Sequence, residues 1–346
     1  MKHSGLHTFN ILLLLLACSC LCGCVGIHDE LDAGIILEAQ AESVNILEHE
    51  SFVFRVMSAA ADITDRSRIF EVTESGNVPV DGAVFTPGNE GAYTFVAECE
   101  GHVSPPLYLS AVAVQHGGDR FLRKSLVLDF TATWCVNCPA MSQAISRAAA
   151  LSGGRIDKIA VYYLDDLQVP AGSALASRFG VQALPHVVSG LDEKLATSVA
   201  SEDVIYAHNR QVLEQSKPAC GIAISSTVTD AGLSVRVEVA SAAAGSYYLG
   251  VAVVEDGIVA KQTGASDYYV HNSVLRSLLH SAQPSEGLGD ALGWMEEGQT
   301  AVRTFTAPAV RNAFETRIMA YLVDEEGRLN NAASCAVGED QPYQYE

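Results

Sequence analysis

The spacing of hydrophobic and polar positions changes character along the chain. From about Ala33 to Val114, stretches such as Val53-Phe54-Arg55-Val56 and Ile69-Phe70-Glu71-Val72 alternate or cluster β-formers. Turn signals at Ser75-Gly76-Asn77 and Pro87-Gly88-Asn89 separate them, which predicts β-structure. A polar linker, Gln115-His116-Gly117-Gly118-Asp119, follows, and strand and helix patterns then alternate until about Ser216. Ser125 to Thr131 predicts a buried strand, and Cys138 to Leu151 a helix with Pro139 in its first turn and Gly153-Gly154 at its end. Ile156 to Leu164 predicts a second buried strand, and Ser173 to Phe179 a short helix closed by Gly180. Ser201, followed by Glu202 and Asp203, opens a last helix that ends near Gln215, before Pro218. From Ala219 the pattern is again β. Leu233 to Val239 alternates cleanly, Tyr247 to Val254 and Arg317 to Val323 read as core strands, and the spacing fits a sandwich of roughly seven strands.

A chain of 346 residues exceeds one ordinary core. The expected fold class is multidomain, α/β plus all-β: a segment 1–23, a β domain at 33–115, an α/β domain at 119–217 and a C-terminal β-sandwich at 218–346. The first segment reads as a signal peptide, with Lys2 as its positive end and an apolar run from Ile11 to about Cys22. No stretch reaches the roughly 18–20 apolar residues of a membrane-spanning helix. Leu21-Cys22-Gly23-Cys24 resembles a bacterial lipobox, which implies lipidation at Cys24. Leu15-Leu16-Ala17-Cys18 offers a second lipobox, but it leaves a shorter apolar core, so Cys24 is preferred. Val25 rather than an aspartate follows Cys24, and by resemblance to enterobacterial lipoproteins this points to the outer membrane, facing the periplasm or the cell surface. A net charge of −20 opposes a nucleic-acid partner or an anionic lipid surface. The membrane is therefore expected as a partner through the lipid anchor.

The chemistry concentrates in Trp134-Cys135-Val136-Asn137-Cys138-Pro139, directly after the first buried strand. Two cysteines three apart at a helix start can form a reversible disulfide, and the helix N-terminus stabilises a thiolate at the first of them. A zinc site is the weaker option, because no second C-x-x-C or clustered histidine pair accompanies them. No cofactor and no metal are expected. Cys220 and Cys335 could pair across the last domain, or stay with Cys99 as buried thiols; an exported location permits disulfides.

Several residues in order make 121–216 resemble a thioredoxin-fold domain. Trp134 precedes Cys135, Asp129 lies six residues before it, and Ala176-Ser177-Arg178-Phe179-Gly180-Val181-Gln182-Ala183-Leu184-Pro185 is similar to the family's segment leading to its cis-proline. The resemblance implies that Cys135 attacks a substrate disulfide and Cys138 resolves it. Asp129, in an apolar strand, should have a raised pKa and accept the proton of Cys138, unless it reaches solvent at the strand end. Trp134, Leu184 and Pro185 would form the substrate-binding side, Leu184 through its backbone. His186 either tunes the thiolate or satisfies local hydrogen bonds.

Two further resemblances frame this unit. Ala83 to Ala97, followed by Gly101-His102-Val103-Ser104, resembles the second half of a bacterial immunoglobulin-like domain, a spacer or stalk module. Leu128 to Cys135 with Asn137-Cys138-Pro139, then Val251 to Gly257 and His271-Asn272-Ser273-Val274-Leu275-Arg276, resembles the outer-membrane lipoprotein family founded on a twenty-eight kilodalton outer membrane protein. That resemblance covers about 121–337 and implies a thioredoxin fold followed by a β-sandwich. The founding member is regarded as an adhesin. His271, Asn272 and Arg276 form a polar cluster whose simpler role is to hold the sandwich edge. Two functions are therefore expected. One is a lipid-anchored thiol–disulfide oxidoreductase acting on thiols and disulfides of exported proteins. The alternative is a surface adhesion or binding lipoprotein that keeps the thioredoxin fold as a scaffold around a static disulfide.

Overall fold

The computed structural model describes residues 34–346 apart from 59–60, 114–116, 230–231, 280–288, 309 and 311–314. The expected signal segment 1–23 and both candidate lipidation sites, Cys18 and Cys24, lie outside the described residues.

Alternation builds the first module. Along β3 (Phe52–Ser58), Phe52, Phe54, Val56 and Ser58 are buried and the residues between them are less covered. β3 pairs with β1 (Ile36–Ala39), β4 (Ala61–Asp62) and β7 (Val84–Phe85). A second sheet runs β2 (Ser43–Asn45), β10 (Leu107–Val112), β8 (Gly91–Cys99), β5 (Arg68–Thr73) and β6 (Gly76–Pro79), with β9 (His102–Val103) beside β8. Phe52, Phe54 and Phe95 meet in the core, where the rings of Phe54 and Phe95 lie 4.8 Å apart.

β11 (Ser125–Thr131) is buried at every position, as a strand covered on both faces must be. It runs parallel to β12 (Ile156–Tyr162), with Ser125 opposite Ile156, and α1 (Cys138–Leu151) makes the crossover. Cys138, Met141, Ala144, Ile145 and Ala148 form the buried stripe of α1. α2 (Pro170–Arg178) leads to β13 (His186–Ser189), antiparallel to β11, and β14 (Ala196–Thr197) lies beyond it. Ser201 caps α3 (Glu202–Leu213) by accepting from the Val204 N–H. The first module rests on the end of α1: at Gly154, in the left-handed region at φ 70°, a Cβ would come within 2.7 Å of Ser43 Oγ. Arg147 also donates to the Tyr108 hydroxyl across this contact.

The expected fold class requires correction here. A central thioredoxin-like α/β domain, set between an immunoglobulin-like sandwich and a separate C-terminal sandwich, is not the architecture observed. β12 is no sheet edge. It pairs in parallel with β20 (Val274–Leu279), Ala160 opposite Val274, and the Ala160 N–H donates to Ser273 O at 2.8 Å. Through β20 the sheet continues into β17 (Gly245–Glu255), β23 (Thr316–Asp324) and β24 (Leu329–Ala336), with β21 (Asp290–Met295) beside β17, nine strands in all. The described residues hold twenty-five strands against three α-helices, so the chain is predominantly β. An open strand edge offers unpaired N–H and C=O groups. β20 occupies that edge, and the helical stretch becomes an inset at one end of a large β-sheet.

A four-stranded sheet of β22 (Thr300–Ala307), β16 (Gly232–Ala240), β15 (Gly221–Thr229) and β25 (Asp340–Gln341) faces the large one. Val235, Val237, Tyr247, Val251, Ile318 and Ala320 fill the space between them. Polar side chains bolt the joint. The Asn331 amide donates to Leu122 O and Cys220 O, at 3.0 and 2.7 Å, and its oxygen accepts from Lys124 N at 2.7 Å. Beside it, Asn330 accepts from Cys220 N and donates to Pro218 O. The last residues return to the start of this body: Leu122 N donates to Gln344 O, Glu346 N donates to Arg120 O, and Phe121 packs on Tyr343 and Tyr345. A separate hairpin, β18 (Ile258–Ala260) with β19 (Tyr269–His271), projects from the large sheet.

Candidate functional site

The loop between β11 and α1 is built by local hydrogen bonds. Asp165 accepts from Thr133 N and Leu167 N, and the Trp134 indole donates to Leu164 O at 3.0 Å. Cys135 N donates to Ala132 O, and Pro139 lies in the first turn of α1, where the missing N–H is tolerated. Cys135 and Cys138 are joined as a disulfide. The pair is buried, Cys135 at 4% exposure and Cys138 at 2%, and Leu184 packs on both together with Ala132. The Leu184–Pro185 peptide is cis. Trp134 is half exposed and borders a small groove with Tyr163, Leu164 and Val181 to Leu184.

The distant hairpin reaches the disulfide loop and bonds to its main chain. The Gln262 amide nitrogen donates to Cys135 O at 2.9 Å and to Ala132 O at 3.2 Å. Thr263 N donates to Thr133 O at 2.8 Å. Gly264, at φ 84°, lies so close to this loop that a Cβ would fall 2.5 Å from Val136 O.

Asp129 sits in the strand below at 2% exposure, with no hydrogen-bond partner for Oδ1 among the described residues. Burial pushes its carboxyl up to about 6, and the positive charge of Lys158 works against that rise. The Lys158 ammonium donates to Ser142 Oγ at 3.1 Å. Asp129, Cys138, Lys158, Tyr162, Gln262 and His271 all line one cleft of about 1090 Å³, which also borders the first module. Across it the Tyr162 hydroxyl is hydrogen-bonded to His271 Nδ1, and His271 Nε2 contacts Ala260 O. A carbonyl only accepts, so Nε2 carries the proton and Nδ1 accepts from Tyr162. Burial lowers the His271 pKa to about 4.

The structure thus gathers Cys135, Cys138 and Leu184 in one place, with Pro185 joined to Leu184 by the cis peptide and Asp129 lining the same cleft as Cys138. Asp129 does not reach solvent at a strand end. His186 starts β13 beside Phe130, and burial lowers its pKa. Asn272 accepts from Gly257 N and Arg276 pairs with Glu255 at 3.3 Å, so both hold local structure. Cys220 and Cys335 are not paired, and Cys99 is also a free thiol. Burial, followed by Glu339 and Asp340, pushes the Cys335 thiol up to about 12. Among the described residues, no group of three His, Cys, Asp or Glu side chains is arranged to hold a metal ion. No described helix is long and apolar enough to cross a membrane.

Sequence reasoning missed Gln262, Gly264 and Lys158. Lys158 left a legible trace, since it interrupts the apolar run of β12. Gln262 left none, because a glutamine before Thr263-Gly264 reads only as a turn.

Comparison with known proteins decides which resemblance carries furthest. Residues 172–341 match the family described as outer membrane protein Omp28. The matched segment starts after α1, so Cys135 and Cys138 lie outside it, and the similarity is narrower than the 121–337 expected from motifs. No curated protein matches the chain. Among solved structures, HBP35 of Porphyromonas gingivalis is similar at 17% identity and a TM-score of 0.54, covering 65% of this chain and 78% of that one. At that identity the likeness bears on the fold alone. A protein of Agrobacterium tumefaciens is 13% identical over 66% of this chain and 100% of its own, at a TM-score of 0.43.

Proposed function

We propose that the chain is a lipid-anchored outer-membrane protein that binds a partner at the cell surface, with Cys135–Cys138 as a static bond inside its scaffold. The observation that carries this reading is the match of residues 172–341 to the Omp28 outer membrane family. The burial of both cysteines supports it, because a bond meant for exchange with polypeptides needs an accessible sulfur. A net charge of −20 repels polyanions, which directs the proposal toward neutral or cationic partner surfaces. Lipidation is assigned to Cys24. The test is labelling of intact cells with a membrane-impermeant biotin reagent, alongside palmitate incorporation in the wild type and in Cys24→Ser. Surface labelling of intact cells and loss of palmitate in the variant are expected. Labelling only after the outer membrane is permeabilised would overturn the surface assignment.

One observation favours a second reading, a thiol–disulfide oxidoreductase acting on exported proteins. Asp129 is a buried acid with a pKa of about 6 beside the cleft that Cys138 lines, the disposition needed to hold a proton for a resolving thiol. A Cys138→Ala variant that traps no mixed disulfide, with a pair more reducing than about −300 mV, would set this reading aside.

A further inference from the structure

The hairpin that meets the disulfide loop is a separable part. β18 and β19 pair only with each other, outside both large sheets. The hairpin springs from Asp256 and returns at Ser273, where its base is clamped: Arg317 binds Asp256 and Ser273 Oγ, and Asp256 accepts from Ser273 N. Gly257 and Ser273, at φ 69° and 57°, bracket the hairpin in left-handed conformations. Its tip turns through Gln262 N donating to Ser266 O and Ala265 N donating to Gln262 O. That tip meets the disulfide loop through three hydrogen bonds to main-chain carbonyls, two from the Gln262 side chain and one from Thr263 N. Gly264 allows the contact, since any side chain there would strike Val136.

We infer that the hairpin tip, Gln262 to Ser266, is a latch that holds the Cys135–Cys138 disulfide closed to thiols, and that lifting it exposes a bond the rest of the fold leaves reducible. The inference goes beyond surface binding, which neither requires nor forbids the latch to open. With a dithiol as reductant, a thiolate of the dithiol attacks one sulfur of the pair, the Sγ–Sγ bond breaks, and a mixed disulfide forms. The second thiol of the reductant then displaces it. Cys135 and Cys138 end as thiols carrying the two protons of the dithiol, which leaves as a cyclic disulfide. The two electrons come wholly from the reductant.

The test is the rate at which dithiothreitol reduces the full-length protein under native conditions, followed by alkylation and mass. Each lost hydrogen bond is expected to shift latch opening by about two- to tenfold, so Gln262→Ala, which removes two, should speed reduction by about 4- to 100-fold. Gly264→Val, which forces the tip off the loop, should do the same. Asp267→Ala loses only an exposed ion pair with Lys261 and should change the rate less than about threefold. Far-UV circular dichroism and melting temperature establish that each variant is folded. Equal rates for the wild type, Gln262→Ala and Gly264→Val in folded protein would overturn the latch, as would wild-type reduction as fast as that of the denatured chain. Surface biotinylation is indifferent to these variants, so a failed latch and a failed surface assignment are distinguishable.

Discussion

Arg317 grips Asp256 in two hydrogen bonds, Nε to Oδ2 at 2.6 Å and Nη2 to Oδ1 at 3.1 Å. Burial pushes the Asp256 carboxyl up, but the Arg317 charge and hydrogen bonds, with the Ser273 N–H, outweigh it and hold the pKa below its usual value. A depressed carboxylate stabilises the fold at neutral pH, and that contribution is lost as pH falls below about 3.9 through the folded-state value. Arg317→Leu leaves the carboxylate without its partner. The expected loss is about 3–5 kcal/mol at pH 7, measured by urea unfolding. A variant that unfolds at the wild-type midpoint would show the pair to be idle.

Asn331 predicts how the α/β inset and the sandwich unfold together. Its side chain meets Leu122 O, Cys220 O and Lys124 N, so Asn331→Leu removes a partner from two buried main-chain groups and from the part-buried Leu122 O. A loss of about 2–4 kcal/mol is expected, with one unfolding transition separating into two. Fluorescence and circular dichroism melts that still coincide in the variant would contradict this.

Asp129 and His271 tilt stability in opposite directions with pH. The Asp129 pKa is raised to about 6, so its contribution is fully present below about 3.9 and is lost as pH rises through 6. Asp129→Asn should remove a fall of up to about 3 kcal/mol between those limits and should be more stable than the wild type at pH 8. No gain at pH 8 would mean that the carboxylate is solvated or paired in solution.

For His271 the folded-state pKa is depressed to about 4, so a neutral ring is favoured and stability is lost as pH falls from about 6.5 toward 4. His271→Gln should flatten that side of the profile and narrow the stability gap between pH 7 and pH 5. A wild-type and variant pair with parallel profiles would place the titration elsewhere.

Local signals carried far into this chain. The largely apolar β11, the helix from Cys138 with Pro139 in its first turn, and the Ser201 cap are legible because each is fixed within one turn or one strand. The same locality misled at the next level. Nothing near Ala160 announces that Val274 will lie beside it, more than a hundred residues on, and that one pairing turns an expected domain into the end of a larger sheet. The candidate site divides in the same way. Cys135, Cys138, Leu184 and Pro185 could be named from their order. Gln262 could not, because a glutamine whose amide reaches the carbonyls of a remote loop has the same sequence signature as one that faces water.

The stitching of residues 344–346 onto 120–122 has a topological corollary. Residues 120–122 and 344–346 are therefore neighbours in the body that spans 119–346. A short glycine bridge joining them, with a new break at the turn around Gly298, would reorder the polypeptide while leaving every strand beside its present partner.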